Sequence, residues 1–481
     1  MAPARLRFWP QLAPAAAGAL LYLTGLEAVG LLGPDEPRYA AIAQEMARSG
    51  DWITPRLWGE GWFEKPPLAY WMMGLGFRLG LGAELAPRLP MALASLAFLV
   101  FYYCRLQEEF GARAAGAATL ILGTSAGWLV FSRVGVTDLP MAAAFSCAML
   151  LGLPWLARGE ARGLPWAAFL LGLAVLAKGL VPLALAAPLL LMGRQRLRDW
   201  LRPAPLLAFL APAAPWYLAM ALRHGGRFLE EFFLKHHVAR LWADQLQHVQ
   251  PFWFYLPVLA AGLYPWTPLI ALLPRRGLYR DGRVKFLLAW LLFGLVFFSA
   301  ALNKLPGYLL PLLPAAAALL GLALAETPRA RWALGACGLL LAAVPAAIHV
   351  LPGALVVGLR KAHWGEWPWA GTAAAAPLAL WCWWWGDRRR QAALAALAAG
   401  VTAAVLWLEV KTFPLLDRRV SVRAFWRGIA DASQVCIVEA DRERRYGLAY
   451  YAGAPLPDCA LRPLPLRIRE RGDGSLELSA R

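Results

Sequence analysis

Polar and apolar positions along this chain alternate on a coarse scale. Apolar runs of about 20 residues, the length at which a helix crosses a ~30 Å hydrocarbon core, recur along most of it. They fall near residues 11–33, 88–104, 114–131, 139–156, 164–177, 180–193, 204–222, 251–273, 286–302, 308–325, 332–351, 369–386 and 391–409. Read as helices they make about thirteen crossings, of which 164–177 and 180–193 are shorter than an ideal span. No rhythm of short alternating strands, the mark of an outer-membrane barrel, appears among them.

Two stretches break the pattern. Residues 34–67, PDEPRYAAIAQEMARSGDWITPRLWGEGWFEKPP, are polar and aromatic. Within them Tyr39, Ile42, Ala43 and Met46 recur at helical spacing opposite Arg38, Glu45 and Arg48, which predicts an amphipathic helix at a membrane surface. The next stretch, 68–82, is short for a span and is expected to lie at the interface as well. From about residue 410 the apolar character fades. QVCIVEA (434–440) reads as a strand and RRYGLAYYAG (444–453) as a helix ended by Gly453. The expected architecture is an all-α polytopic membrane domain over 1–410 with a small soluble α/β domain over 411–481. That second piece is marginal alone and is expected to dock on the first.

Composition agrees with this class. Hydrophobic residues make up 60% of the 481 positions and charged ones 16%, well under the roughly 25% of ordinary soluble domains. The net charge of +18 raises nucleic acid as a partner, but its placement argues for topology instead. Arg105 and Arg113, Arg158 and Arg162, Arg194 to Arg202, Arg275 to Lys285, Arg329 and Arg331, and Arg388 to Arg390 occupy alternate short loops. All fall on one side, which the positive-inside rule makes cytoplasmic. An odd number of crossings then sends the tail outside. Arg5 and Arg7 before the first run resemble a signal peptide; the run is long and ends in no cleavage site, so an uncleaved first helix is expected. Of the six cysteines, Cys104, Cys147, Cys337 and Cys382 lie in or beside apolar runs, whereas Cys436 and Cys459 could pair in an oxidising compartment.

The outward loops, which the positive-inside rule does not populate, nevertheless hold acids and bases together. The first carries Asp35, Glu36, Arg38, Glu64 and Lys65; SRVGVTDLP (132–140) carries Asp138; Lys178 sits between two short runs. The 223–250 loop carries His236 and His237, and NKLPGYLLPLLP (303–314) carries Lys304 and Tyr308. Each has an ordinary explanation. Asp35 before Glu36-Pro37 is placed to cap a helix, Lys65 could snorkel beside Pro66-Pro67, and Tyr308 could be an interfacial aromatic. Charges at hydrocarbon depth are costly unless they pair or act, so the set together implies a polar site at the outer leaflet.

The string GPDEPRYAAIAQEMARSGDWITPRLWGEGWFEKPPLAYWM resembles the first outer loop of the C-class (GT-C) glycosyltransferases. It is most similar to the bacterial branch that includes the lipid A 4-amino-4-deoxy-L-arabinose transferase, related more distantly to the dolichyl-phosphate-mannose protein mannosyltransferases. SRVGVTDLPMAA, LAKGLVPLAL and NKLPGYLLPLLPAAAALLG extend the likeness over residues 1 to about 410. The resemblance implies a GT-C fold in a bacterial inner membrane, with active site and tail periplasmic. It implies transfer of a monosaccharide from undecaprenyl phosphate, with inversion, to lipid A, another envelope glycan or lipid, or a protein. Asp35 would be the catalytic base and Asp138 a second acid shaping the site. Arg38, Lys65, Lys304 and Tyr308 would meet the carrier phosphate, with Glu36 and Lys178 also at the site. Glu64 and a histidine of the 223–250 loop, with His236 and His237 as candidates, match zinc ligands of the aminoarabinose enzyme. Two protein ligands fall short of a closed site, so a zinc or other divalent ion stays open and no cofactor is assigned. The rival classes are a protein O-glycosyltransferase with the same donor, a non-catalytic scaffold that would tolerate loss of Asp35, and a secondary transporter. A transporter would place ionisable residues at the midplane of repeated halves, a pattern this chain lacks.

Overall fold

The computed structural model describes residues 18–232, 249–358, 365, 367 and 369–480. Among the described residues, eight helices are long and apolar enough to cross a membrane. They are Gly82–Phe110, Asp138–Arg158, Ala161–Lys178, Pro203–Phe232, Gly282–Ala300, Pro306–Glu326, Arg331–Val356 and Arg390–Lys411. A ninth arises if Ala112–Gly123 and Ala126–Ser132, bent by 61°, count as one span.

The remaining expected crossings hold shorter pieces. The 180–193 run breaks into Val181–Leu185 and Ala187–Met192, each with a proline in its first turn. The 251–273 run divides into Phe252–Phe254, Tyr255–Gly262 and Thr267–Leu272, and 369–386 is the 17-residue helix Trp369–Trp385. Of 11–33, the described part is helical over 18–23. Pro182, Pro188 and Pro268 each restart a helix, because proline fits a first turn but removes an interior hydrogen bond. An apolar run therefore overstates the number of unbroken helices.

Pro306–Glu326 is the most enclosed span. Its alanines and glycines permit close helix approach, the packing mode of membrane interiors. At Gly321 a built Cβ would fall 2.6 Å from the Ala118 backbone nitrogen, so only glycine fits that crossing.

In the first outer loop the helix Asp35–Ser49 ends at Gly50, whose φ of 75° suits glycine. Tyr39, Ile42, Ala43 and Met46 are buried, as their spacing predicted. Arg38, expected on the polar face, is buried too. A hairpin follows, Arg56–Leu57 against Glu60–Gly61, turned by Trp58 and Gly59 at positive φ.

The C-terminal domain is a three-stranded sheet with the helix Arg442–Ala452, preceded by the short helices Phe413–Arg419 and Arg423–Arg427. Val435–Glu439 pairs in parallel with Leu466–Glu470, which pairs antiparallel with Leu476–Ala480. The helix Arg442–Ala452 ends at Gly453 in the left-handed region, as the sequence predicted. Cys436 and Cys459 are disulfide-bonded with Cα atoms 5.0 Å apart. The domain is docked on the membrane part. Tyr450 Oη donates to the Ala83 carbonyl at 2.6 Å, the Leu31 amide donates to Tyr451 Oη at 2.9 Å, and Arg423 donates to the Glu27 and Ala28 carbonyls.

Candidate active site

Side chains from five parts of the chain meet at one cleft of about 610 Å³. Asp35 and Tyr39 come from the start of the first-loop helix, Glu64 and Lys65 from the segment before Pro66-Pro67, Asp138 from the first residue of its helix, and Lys178 from the last residue of its own. Tyr308 completes the wall from the first turn of Pro306–Glu326. Gly179, at φ 82°, stops the Lys178 helix and leaves that side chain at an open end. Gly307 matters for another reason: a Cβ there would lie 2.9 Å from Asp138 Oδ1, so glycine lets the LPGY turn close on the carboxylate.

The charges form two linked groups. Arg38 Nη2 donates to Asp35 Oδ1 at 2.5 Å, and its Nη1 faces Glu64 Oε2 at 3.5 Å. Lys65 Nζ donates to Glu64 Oε1 at 2.9 Å. Across the cleft Lys178 donates to Asp138, with its ammonium 5.3 Å from the centre of the Tyr308 ring. Burial opposes the Arg38 charge, but Tyr39, Glu64 and Asp35 around it raise its pKa above the ordinary arginine value. It is a fixed cation at any working pH.

The capping role considered for Asp35 is not what the fold gives it. Pro34 occupies the cap position with helical dihedrals, and no side chain caps the helix. Asp35 is instead the first helical residue and turns to Arg38 three positions on. Its side chain is 45% exposed against 4% for Arg38, so the carboxylate is open to the cleft while its partner is sealed behind it.

Six of the expected site residues, Asp35, Glu64, Lys65, Asp138, Lys178 and Tyr308, thus share one cleft. The other three described residues lie elsewhere. Arg38 stands behind the wall. Lys304 donates to the carbonyls of Gln250 at 3.0 Å and Ala301 at 2.5 Å, tying down the turn that carries Tyr308. Glu36 is buried against Arg88, with Nε at 2.7 Å and Nη2 at 2.8 Å. Sequence reasoning passed over Arg88, although a charge at the head of an apolar run is itself the signal. It also missed Tyr446, a tail residue whose ring faces Arg38 at 5.5 Å.

The zinc expectation rests on His236 and His237, which lie outside the described residues. Glu64 has cations on both oxygens, and no cluster of three metal-ligating side chains occurs among the described residues. The described residues do not make a metal site by themselves.

The chain resembles known proteins over nearly its whole length. The family model described as dolichyl-phosphate-mannose-protein mannosyltransferase matches residues 64–218. The undecaprenyl phosphate-α-4-amino-4-deoxy-L-arabinose arabinosyl transferase of Pseudomonas aeruginosa is 32% identical, covering 96% of this chain and 91% of that protein. The enzyme of the same name from Edwardsiella ictaluri is 37% identical over 61% of this chain and 55% of its own length. Among solved structures, ArnT from Cupriavidus metallidurans bound to undecaprenyl phosphate superposes with a TM-score of 0.71 at 26% identity, covering 94% of this chain and 86% of that one. The arabinosyltransferase EmbB from Mycobacterium smegmatis shares the fold, with a TM-score of 0.53 over 88% of this chain and 44% of its own.

Proposed function

We propose a reaction from one fact: this chain is a multi-pass membrane glycosyltransferase of the GT-C fold and belongs to the family of undecaprenyl phosphate-α-4-amino-4-deoxy-L-arabinose arabinosyl transferases. Its donor is a monosaccharide on undecaprenyl phosphate, 4-amino-4-deoxy-L-arabinose first among candidates. Its acceptor is lipid A. The match to the protein mannosyltransferase model stops at residue 218, whereas likeness to the aminoarabinose enzymes runs over 96% of the chain, which favours lipid A over protein.

One observation carries the reading: an open carboxylate, Asp35, shares a cleft with two lysines, Lys65 and Lys178. The lysines meet the anionic leaving group through charge-assisted bonds. Asp35 takes the proton from the attacking oxygen of the acceptor. That oxygen bonds to the anomeric carbon from the face opposite the phosphate, the carbon–oxygen bond to phosphate breaks, and undecaprenyl phosphate leaves as the anion. A single displacement of this kind inverts the anomeric centre. Asp138 holds Lys178 in place, and Tyr308 covers the lysine with its ring.

The site faces the periplasm of a bacterial inner membrane in this reading. Support comes from one helical hairpin. Asp138 and Lys178 lie at one end of the helices Asp138–Arg158 and Leu164–Lys178, while Arg158 and Arg162 lie at the other. A 21-residue helix is about 30 Å long, a membrane thickness. The arginine end is cytoplasmic by the positive-inside rule, which leaves the acidic end outside.

The test is transfer by purified protein in proteoliposomes, given undecaprenyl-phosphate-linked aminoarabinose and lipid A, with products read by mass spectrometry. Aminoarabinose-modified lipid A is expected. Transfer to a different acceptor from the same donor would overturn the acceptor, and inertness toward every undecaprenyl-phosphate-linked sugar would overturn the reaction.

A further inference from the structure

We infer that Tyr446, in the C-terminal domain, is a positioning residue for sugar transfer: its ring closes an aromatic cage that holds Arg38 and, through Arg38, the Asp35 carboxylate. The inference rests on the reading of Asp35 as the base. Four observations carry it. The guanidinium carbon of Arg38 lies 5.1 Å from the ring centre of Tyr39, 5.0 Å from that of Trp62 and 5.5 Å from that of Tyr446. Tyr446 is itself stacked on Trp58 of the first-loop hairpin, with centroids 5.8 Å apart and planes at 22°. Its helix, Arg442–Ala452, packs against the helix Asp35–Ser49 that carries both Asp35 and Arg38. Finally, Arg38 is sealed from solvent, and its Nε has no hydrogen-bond partner among the described residues.

A guanidinium in that position is held by its ion pairs and by ring faces. Tyr39 and Trp62 belong to the same outer loop and would move with it. Tyr446 arrives from the far end of the chain, so the docked domain fixes the cation relative to the fold. Cation–π attraction is strongest where water is excluded, as it is here. Arg38 in turn sets where the Asp35 carboxylate sits, through the 2.5 Å bond between them. The small domain thereby contributes to the chemistry without touching the sugar.

The experiment uses full-length protein and steady-state transfer from undecaprenyl-phosphate-linked aminoarabinose. Tyr446→Phe keeps the ring face, Tyr446→Leu keeps apolar bulk without it, and Tyr446→Met replaces Leu if that variant does not fold. Each is made alone and with Arg38→Gln, beside Asp35→Asn. Tyr446→Phe is expected to match wild type, while Tyr446→Leu lowers kcat roughly 3- to 30-fold with the donor KM changed less than about twofold, the range of one desolvated cation–π contact. In the Arg38→Gln background Tyr446→Leu should cost nothing further, because the group it positions is gone. Equal losses in Phe and Leu, wild-type kcat in Leu, or the same loss with and without Arg38 would each overturn the inference. Wild-type turnover by Asp35→Asn would overturn the underlying reading and this inference with it. Loss in Asp35→Asn with none in Tyr446→Leu overturns this inference alone.

Discussion

Arg88, at the head of an apolar run, grips the Glu36 carboxylate with two nitrogens, Nε at 2.7 Å and Nη2 at 2.8 Å. The same carboxylate accepts the amides of Leu32 and Gly135, both at 2.9 Å, and Arg88 donates to the Leu26, Val29 and Gly30 carbonyls. One buried pair therefore ties the first outer loop to the segment leading into Asp138. Glu36 adjoins Asp35 in sequence and Gly135 lies three residues before Asp138, so the clamp sets the spacing of the two acid-bearing segments.

Breaking such a pair leaves a charge with no partner in a sealed site, which typically costs about 3–5 kcal/mol. Glu36→Leu is expected to lower the thermal unfolding midpoint of the detergent-solubilised protein markedly and to reduce its yield in membranes. An unchanged midpoint would show that Arg88 finds another partner and that the clamp is dispensable.

The Cys436–Cys459 bond closes a 23-residue separation in the C-terminal domain. A loop of that size is worth about 3 kcal/mol in the chain-entropy model. Counting thiols on unreduced, denatured protein should detect Cys104, Cys147, Cys337 and Cys382 but neither of the pair. Cys459→Ser should make the tail more sensitive to protease while leaving the membrane helices intact. Reactive Cys436 in the untreated protein would contradict both expectations.

Topology has its own check. Single cysteines introduced at Asp199 and Arg280, in a background where the exposed Cys104 is alanine, should resist a membrane-impermeant maleimide applied to intact spheroplasts. One introduced at the exposed residue Asp431 should react. The one-sided arginines set this expectation. Labelling of position 199 from outside would invert the protein and remove the periplasmic site.

What could be read from the sequence follows the range over which each signal acts. The buried face of Asp35–Ser49 and the stop at Gly453 are local patterns, and both appear in the fold. So does the grouping of Asp35, Lys65, Asp138, Lys178 and Tyr308, which the family strings brought within reach. Other features depend on partners far along the chain. Arg38 looks solvent-facing by helical period and is buried because Tyr446 and Glu64 come to it. Lys304 looks like a free cation in a polar loop, but the fold returns its ammonium to the backbone at Gln250 and Ala301. Asp35 looks like a cap because a carboxylate before Glu-Pro usually is one; here Pro34 takes the cap position and the helix starts at Asp35 itself. Hydropathy does not say which prolines divide a run, since Pro87, Pro90 and Pro154 sit inside unbroken helices, so 180–193, already short, and 251–273 both count as crossings in the sequence.

Lys65 should act on binding as well as turnover. It lines the cleft and donates to Glu64 at 2.9 Å. Its charge-assisted bonds to a phosphate would be worth roughly 1.5–3 kcal/mol. Lys65→Ala is expected to raise the donor KM and to weaken binding of undecaprenyl phosphate itself, measured by displacement of a labelled carrier lipid. Unaltered carrier affinity would take Lys65 out of the phosphate site and leave it as a partner of Glu64.

Asp35→Asn gives the sharpest separation of chemistry from structure. Asparagine and aspartate cap helices about equally, but Asp35 is not at the cap position, so neither gain nor loss of helix stability is expected from that source. The substitution keeps the side-chain shape and an oxygen that can still accept from Arg38 at the observed 2.5 Å contact. What it removes is the negative charge, and with it the ability to take a proton. Lost general-base catalysis lowers rates by at least about 100-fold at its low end. The variant is therefore expected to fold, to keep a near-native unfolding midpoint, and to bind undecaprenyl phosphate like wild type while transferring sugar at least ~100-fold more slowly. Because Glu64 also faces Arg38, the cation remains paired and need not relocate. Turnover at the wild-type rate, with defined donor and acceptor, would return Asp35 to a purely electrostatic role beside Arg38 and require another group in the cleft, Asp138 first, to act as the base.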